Sequence, residues 1–127
     1  MNVLIEGVTL TGNGYLVDFH STLGSAKAIW TCAKPEIGES FDAELEVLDE
    51  VVWGVNVHRS AREICSISFV DSGLCLTGKL VSLEMDGVAV LDLNGSLVSI
   101  EIDGLPESYP AFIDIKKVRI ALFPTNI

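Results

Sequence analysis

Seven acidic residues and no basic residue lie between residues 36 and 50, and this run is the first candidate for chemistry in the sequence. The seven are Glu36, Glu39, Asp42, Glu44, Glu46, Asp49 and Glu50. Carboxylates at this density either bind hard cations or attract a basic partner. The spacing of the acids decides which use the sequence favours.

A metal site is not predicted from this run. Asp42, Glu44 and Glu46 alternate along one extended segment, and successive residues on one strand face stand about 6.8 Å apart. That spacing is too wide for neighbouring residues to share one small ion without other ligands, and the DxDxDG pattern of a calcium loop is missing. His20 and His58 have no acids or cysteines placed beside them for zinc. We therefore expect no metal and no cofactor.

The same run predicts an interaction surface. Like charges on one strand face repel each other at a modest cost in stability. Single-sign clusters also steer an oppositely charged partner and raise its association rate. We hypothesise that the seven acids of residues 36–50 bind a basic protein partner. The simpler alternative is a solvated strand face.

Catalysis has little support in the sequence. There is no GxSxG motif, and His20 and His58 each fall at the end of a predicted strand. The GNG of residues 12–14 is too short for a phosphate-binding loop. We predict no catalytic residues and no enzyme. A site assembled from scattered acids such as Asp18, Asp92 and Glu101 stays open as an alternative.

Composition narrows the range of partners. The chain has 127 residues, with 18 acidic against 8 basic side chains and a net charge of −10. The negative electrostatic potential of such a chain repels nucleic-acid phosphates and anionic lipids. Neither nucleic acid nor membrane is therefore an expected partner. Among the basic residues only Lys116, Lys117 and Arg119 cluster, and no aromatic residue lies among them.

The N-terminal sequence and the cysteines indicate a compartment. MNVLIEGVTL lacks the basic and uninterrupted apolar regions of a secretory signal. Cys32, Cys65 and Cys75 are odd in number, and none belongs to a CxxC pair. We expect a reduced, cytoplasmic protein whose cysteines pack as small apolar groups.

The elements that position these residues are strands. Residues 74–104 read as a three-stranded meander with turns at Asp86-Gly87, Asn94-Gly95 and Asp103-Gly104, pairs that supply positive φ angles. Its middle strand, residues 88–93, is apolar on both faces except for Asp92, so we expect it to be central in the sheet or covered by another element. At a free edge it would invite pairing with another chain, and a homodimer through such an edge stays open as an alternative.

Before the meander, residues 41–47 alternate strictly between apolar and acidic side chains. Further strands are predicted over residues 2–10, 15–19, 26–33, 51–58, 64–70 and 115–123. A polar loop is predicted over residues 21–25, and a turn at residues 71–73.

Together these predict nine or ten strands in a single all-β domain of residues 1–127. A small closed or partly closed antiparallel barrel, OB-like or Greek-key, is the expected fold, because closure removes exposed edges. A β-sandwich is the alternative.

The expected function is protein–protein contact by a small acidic protein, of the inhibitor or immunity type, against a basic partner. One alternative is a barrel that binds a small ligand at its mouth, where Tyr15, Tyr109 and Phe112 could line the site. The other is the enzyme built from scattered acids.

Overall fold

The protein is all-β in the computed structural model, which describes residues 1–70 and 73–125. The described residues form twelve strands and no helix. In chain order the strands are β1 (Asn2–Thr11), β2 (Gly14–Ser21), β3 (Gly24–Trp30), β4 (Ser40–Val47), β5 (Val51–Val52), β6 (Val57–Arg59), β7 (Ser66–Val70), β8 (Gly73–Leu83), β9 (Val88–Leu93), β10 (Ser96–Asp103), β11 (Phe112–Lys116) and β12 (Ile120–Pro124).

Five strands close into a first barrel in the order β1-β2-β3-β12-β4. Pairing of β1 with β4, from Asn2↔Asp42 to Leu4↔Ser40, completes the ring. The β3–β12 pair is parallel, and the other pairs are antiparallel. Five is also the strand number of an OB-fold barrel, and closure removes the free edges. The predicted closed barrel is confirmed.

A second sheet has the order β5-β10-β9-β8-β11-β6 and is nearly closed, and this sheet is the second barrel. An isolated bridge between Trp53 and Val57 brings its two ends together. β7 pairs with the first half of β8 and β9 with the second half. The expectation of one barrel with nine or ten strands was therefore too simple. Two short strands, β5 and β6, lie where one strand over residues 51–58 was predicted.

The meander is confirmed as β8, β9 and β10. At its second turn Asn94 and Gly95 both have positive φ, 57° and 105°, as a tight hairpin requires. β9 is paired on both sides, so its backbone is not open to a second chain. The turn predicted at residues 71–73 includes Asp71 and Ser72, which lie outside the described residues.

Several boundaries differ from the predicted ones. β2 and β3 continue through most of residues 21–25, leaving only a two-residue turn at Thr22 and Leu23. Cys32 follows β3 and is exposed, although it was expected to pack in the core. The strand predicted over residues 115–123 is two strands, β11 and β12, which belong to different barrels. The break falls at Lys117, whose φ is +58°.

Alternating side chains build the core. Phe41, Ala43 and Leu45 of β4 are buried while the acids between them face solvent, as predicted. Phe41 packs against Trp30, with ring centroids 4.9 Å apart and planes inclined by 59°. Buried side chains from both barrels form one contiguous apolar cluster.

The barrels meet where β7 docks on the turn between β2 and β3. The Ile67 N–H donates to the Leu23 carbonyl at 2.9 Å. Gly24 permits this contact, because a Cβ there would stand 1.9 Å from the Ile67 carbonyl oxygen and its φ is +135°. Only glycine combines that backbone conformation with such close approach.

Candidate partner-binding groove

An acidic groove of about 590 Å³ lies between β4 of the first barrel and β10 of the second. Six carboxylates line it, and no described lining residue is basic. They are Glu46, Asp49, Glu50, Asp86, Glu101 and Asp103. Hereafter, this feature is called the acidic groove.

The first wall comes from the alternation of β4. Glu46 faces solvent because Leu45 and its apolar neighbours face the barrel interior. Glu50 follows the strand, and its carbonyl accepts a 2.8 Å hydrogen bond from Asn56 Nδ2. Asn56 Oδ1 in turn accepts from the Val52 N–H at 2.7 Å. These bonds hold the end of the wall against the start of the second barrel.

The second wall comes from β10 and the turn before β9. Glu101 and Asp103 alternate with buried isoleucines and therefore face outward. The turn before β9 is tied to β10, because the Ile102 N–H donates to the Gly87 carbonyl at 2.8 Å. That bond places Asp86 beside the acids of β10.

Asp49 is held at the base of the first wall by Arg119. The guanidinium donates from Nη2 and Nε to Asp49 Oδ1, at 2.8 and 3.0 Å. The backbone N–H of Arg119 also donates to Asp49 Oδ2, at 2.6 Å. These hydrogen bonds, first of all from the guanidinium, lower the pKa of Asp49 below its ordinary value of 3.8.

The structure brings together only part of the predicted acidic run. Glu46, Asp49 and Glu50 line the acidic groove. Glu44 lies on the same strand face but lines a neighbouring depression with Leu97. Glu36 and Glu39 are exposed in the loop before β4, where Glu39 Oε1 accepts a 2.8 Å hydrogen bond from the Glu36 N–H.

Asp42 has a different environment from the other acids of β4. Its Oδ1 lies 3.1 Å from the amino group of Met1, and its Oδ2 accepts from Thr125 Oγ1 at 3.2 Å. The bond from the amino group is the main cause of a lowered pKa at Asp42. Asp42 is thus engaged in local contacts at the end of the first barrel.

Sequence reasoning missed half of the acidic groove. Asp86 and Asp103 were read as turn residues, and Glu101 as a scattered acid. The one available signal was the alternation of Ser99, Glu101 and Asp103 along a strand otherwise apolar, which marks a solvent face. Nothing in the sequence says that this face lies opposite β4.

The three scattered acids do not share a local environment. Asp18 pairs with Lys27, with 3.4 Å between Oδ1 and Nζ. Asp92 accepts from the Gly95 N–H at 2.6 Å and so supports a turn. Glu101 lines the acidic groove. The immediate neighbours of the three acids therefore differ.

Strand register places four residues side by side whose types are common in catalytic sites. His58, Asp114, Thr77 and Ser66 are direct cross-strand neighbours. Thr77 Oγ1 donates to Asp114 Oδ1 at 2.6 Å, but His58 Nε2 lies 3.1 Å from the Val55 carbonyl. Thr77 is buried, with 2% of its surface exposed. Thr77 Oγ1 thus donates to a carboxylate and not to an imidazole, which differs from the nucleophile–base pair of a catalytic triad.

No group of three or more His, Cys, Asp or Glu residues in the described ranges has a geometry that could hold a metal ion. The described residues include no helical segment with the length and hydrophobicity to cross a membrane. In comparisons with known proteins, no family model, curated protein or solved structure matches this chain.

Proposed function

We propose that the protein works by protein–protein contact and binds a basic partner in the acidic groove, as an inhibitor or immunity-type protein would. The observation that carries the proposal is the convergence of six carboxylates from two barrels on one groove. The two walls of the acidic groove come from distant parts of the sequence, and both present negative side chains to the groove.

The electrostatics of the acidic groove support binding of a basic partner over a face that contacts only solvent. Carboxylates facing one another across a groove repel and raise its negative potential, and low-dielectric walls focus that potential. A basic surface entering the groove relieves the repulsion, and its approach is accelerated by the overall charge of −10. Asp49 is neutralised locally by Arg119, so the remaining five acids carry the attraction.

The test compares two triple variants with the same net charge. The groove variant is Glu46→Gln, Glu50→Gln and Glu101→Gln. The control is Glu6→Gln, Glu63→Gln and Glu107→Gln, three exposed acids outside the groove. Both change the net charge from −10 by three, to −7.

Tagged wild-type protein and both variants are used for affinity capture from the native lysate at low and high salt. We expect one basic protein at near-equal stoichiometry with wild type and control, lost with the groove variant and at high salt. Titration of that purified partner should show affinity at least about tenfold weaker for the groove variant, mostly through slower association. Equal capture by both variants, or capture of nothing, would contradict the proposal.

A further inference from the structure

A second and larger pocket lies where the two barrels join, and Arg119 is one of its lining residues. Its volume is about 720 Å³, within the range of small-molecule sites. Its apolar lining side chains are Leu16, Ala28, Ile29, Phe69, Leu74, Val118 and Ile120. This feature is called the apolar pocket.

The apolar pocket exists because one strand face of the first barrel is not polar. Leu16 of β2 and Ile29 of β3 are direct cross-strand partners on the outer face of the barrel. The start of β8 and the segment before β12 cover this pair only partly, so both side chains are half-buried. The pocket thus opens between the two sheets.

Three cations surround this apolar surface. Lys27, Lys117 and Arg119 line the pocket, and none of its described lining residues is acidic. The whole chain has only eight Lys and Arg against 18 acids. The protein therefore has a strongly negative groove and, beside it, a pocket whose described charged lining residues are all positive.

These cations have capacity for another anion. Arg119 uses two of its five N–H donors on Asp49. Lys27 is in an exposed ion pair with Asp18 at 3.4 Å, a type of contact that contributes little to stability. Lys117 forms no ion pair with any described carboxylate.

The backbone at Lys117 has an unusual conformation that places its side chain at the pocket. Its φ of +58° is sparsely populated by residues with a Cβ. The Lys117 N–H donates to the Leu74 carbonyl at 2.7 Å. Gly73 makes room for the side chain, since a Cβ there would stand 2.8 Å from Lys117 Cγ. Strained conformations of this kind concentrate at functional sites.

From these observations we propose that the apolar pocket binds a small amphipathic organic anion. The apolar body lies on Leu16, Ile29 and Val118, and the anionic head is bound by Lys117 with Arg119 and Lys27. This ligand site is separate from the partner groove, so failure of either test leaves the other unaffected.

The probes are decanoate, decyl phosphate, decanol and decyltrimethylammonium, each below its micellar concentration, titrated into the full chain by calorimetry. Saturable binding of one equivalent of an anionic probe, at least about tenfold tighter than decanol, is the expected result. The tighter of the two anions identifies the head group. Equal binding of all four probes, or no saturable binding, overturns the proposal.

Two pairs of variants locate the site. Lys117→Gln should weaken anion binding about tenfold, whereas Lys116→Gln, the same change one residue away and outside the pocket, should not. Leu16→Trp should block binding by filling the pocket, with Leu97→Trp as a control on an exposed position of β10. Circular dichroism checks that each variant is folded. Binding that survives both Lys117→Gln and Leu16→Trp overturns the proposal.

Discussion

The Arg119 guanidinium donates to Asp49 Oδ1 at 2.8 Å, and this ion pair separates the two proposed sites. Asp49 belongs to the wall of the acidic groove, and Arg119 belongs to the lining of the apolar pocket. The pair also joins the segment after β4 to the segment before β12. An anion that competes for Arg119 would therefore restore one negative charge to the acidic groove.

The Asp49–Arg119 pair gives a pH dependence of stability with a defined sign. The pKa of Asp49 in the folded state lies below its ordinary value of 3.8, so its contribution is complete above that value. The contribution is lost as pH falls below about 4, through the folded pKa. Asp49→Asn should cost about 0.5 to 1 kcal/mol near pH 7, because the partner Arg119 is exposed and screened.

Urea unfolding from pH 7 to pH 2.5 measures this effect. The difference between wild type and Asp49→Asn should shrink toward zero at the acid end. Glu107→Gln, a change at an exposed loop acid, serves as the control and should leave stability within about 0.5 kcal/mol at every pH. A difference for Asp49→Asn that stays constant across the range would show that the ion pair is not its cause.

The contact between the barrels depends on the absence of a side chain at residue 24. Gly24→Ala would place a Cβ 1.9 Å from the Ile67 carbonyl oxygen in a backbone conformation of φ +135°. We expect a loss of at least about 2 kcal/mol in the free energy of unfolding. Gly12→Ala is the matched control, because nothing lies within 4 Å of a Cβ there.

Denaturant titration of both alanine variants measures their free energies of unfolding and tests this expectation. If Gly24→Ala gives too little folded protein, its soluble yield beside that of Gly12→Ala gives the same ranking. Equal stability of the two variants would mean that β7 does not dock on the β2–β3 turn as described.

Lys117 and Lys116 should respond in opposite directions to replacement by glycine. Lys117→Gly relieves a left-handed conformation that costs a residue with a Cβ about 1 kcal/mol, so stability should be kept or rise by up to that amount. Lys116→Gly lies in β11, paired with Cys75, and should lose about 0.5 to 1 kcal/mol.

Thermal unfolding with an anionic probe adds a second comparison. Lys117→Gly should lose the probe-induced stabilisation while remaining at least as stable as wild type, and Lys116→Gly should keep it. A Lys117→Gly variant less stable than Lys116→Gly would contradict the strain argument.

Local patterns predicted the strands well, and they predicted only in part which acids lie together. The alternation of Phe41, Ala43 and Leu45 was enough to orient β4 and its acids, because a strand has only two faces. The turn at Asn94-Gly95 was equally clear from residue type. Both features depend on neighbours in sequence.

The features that create the two pockets depend on distant residues or on a rare backbone state. Glu101 lies opposite Glu46 only because two barrels pack together, and no local pattern encodes that contact. At Lys117 the residue type gave no turn signal, since left-handed conformations are usually marked by Gly or Asn. The predicted single strand over residues 115–123 was therefore wrong at the position that lines the apolar pocket.

The position of β12 has a consequence for biosynthesis. Its strand completes the first barrel, and Thr31 Oγ1 donates to the Leu122 carbonyl across 91 positions of the chain. During translation, β1 to β4 leave the ribosome with two unpaired edges, and they stay open until the entire second sheet has been made. Non-local pairing of this kind slows folding. Charged side chains on an open edge disfavour pairing with another chain, and β4 presents Asp42, Glu44 and Glu46 to solvent throughout that interval.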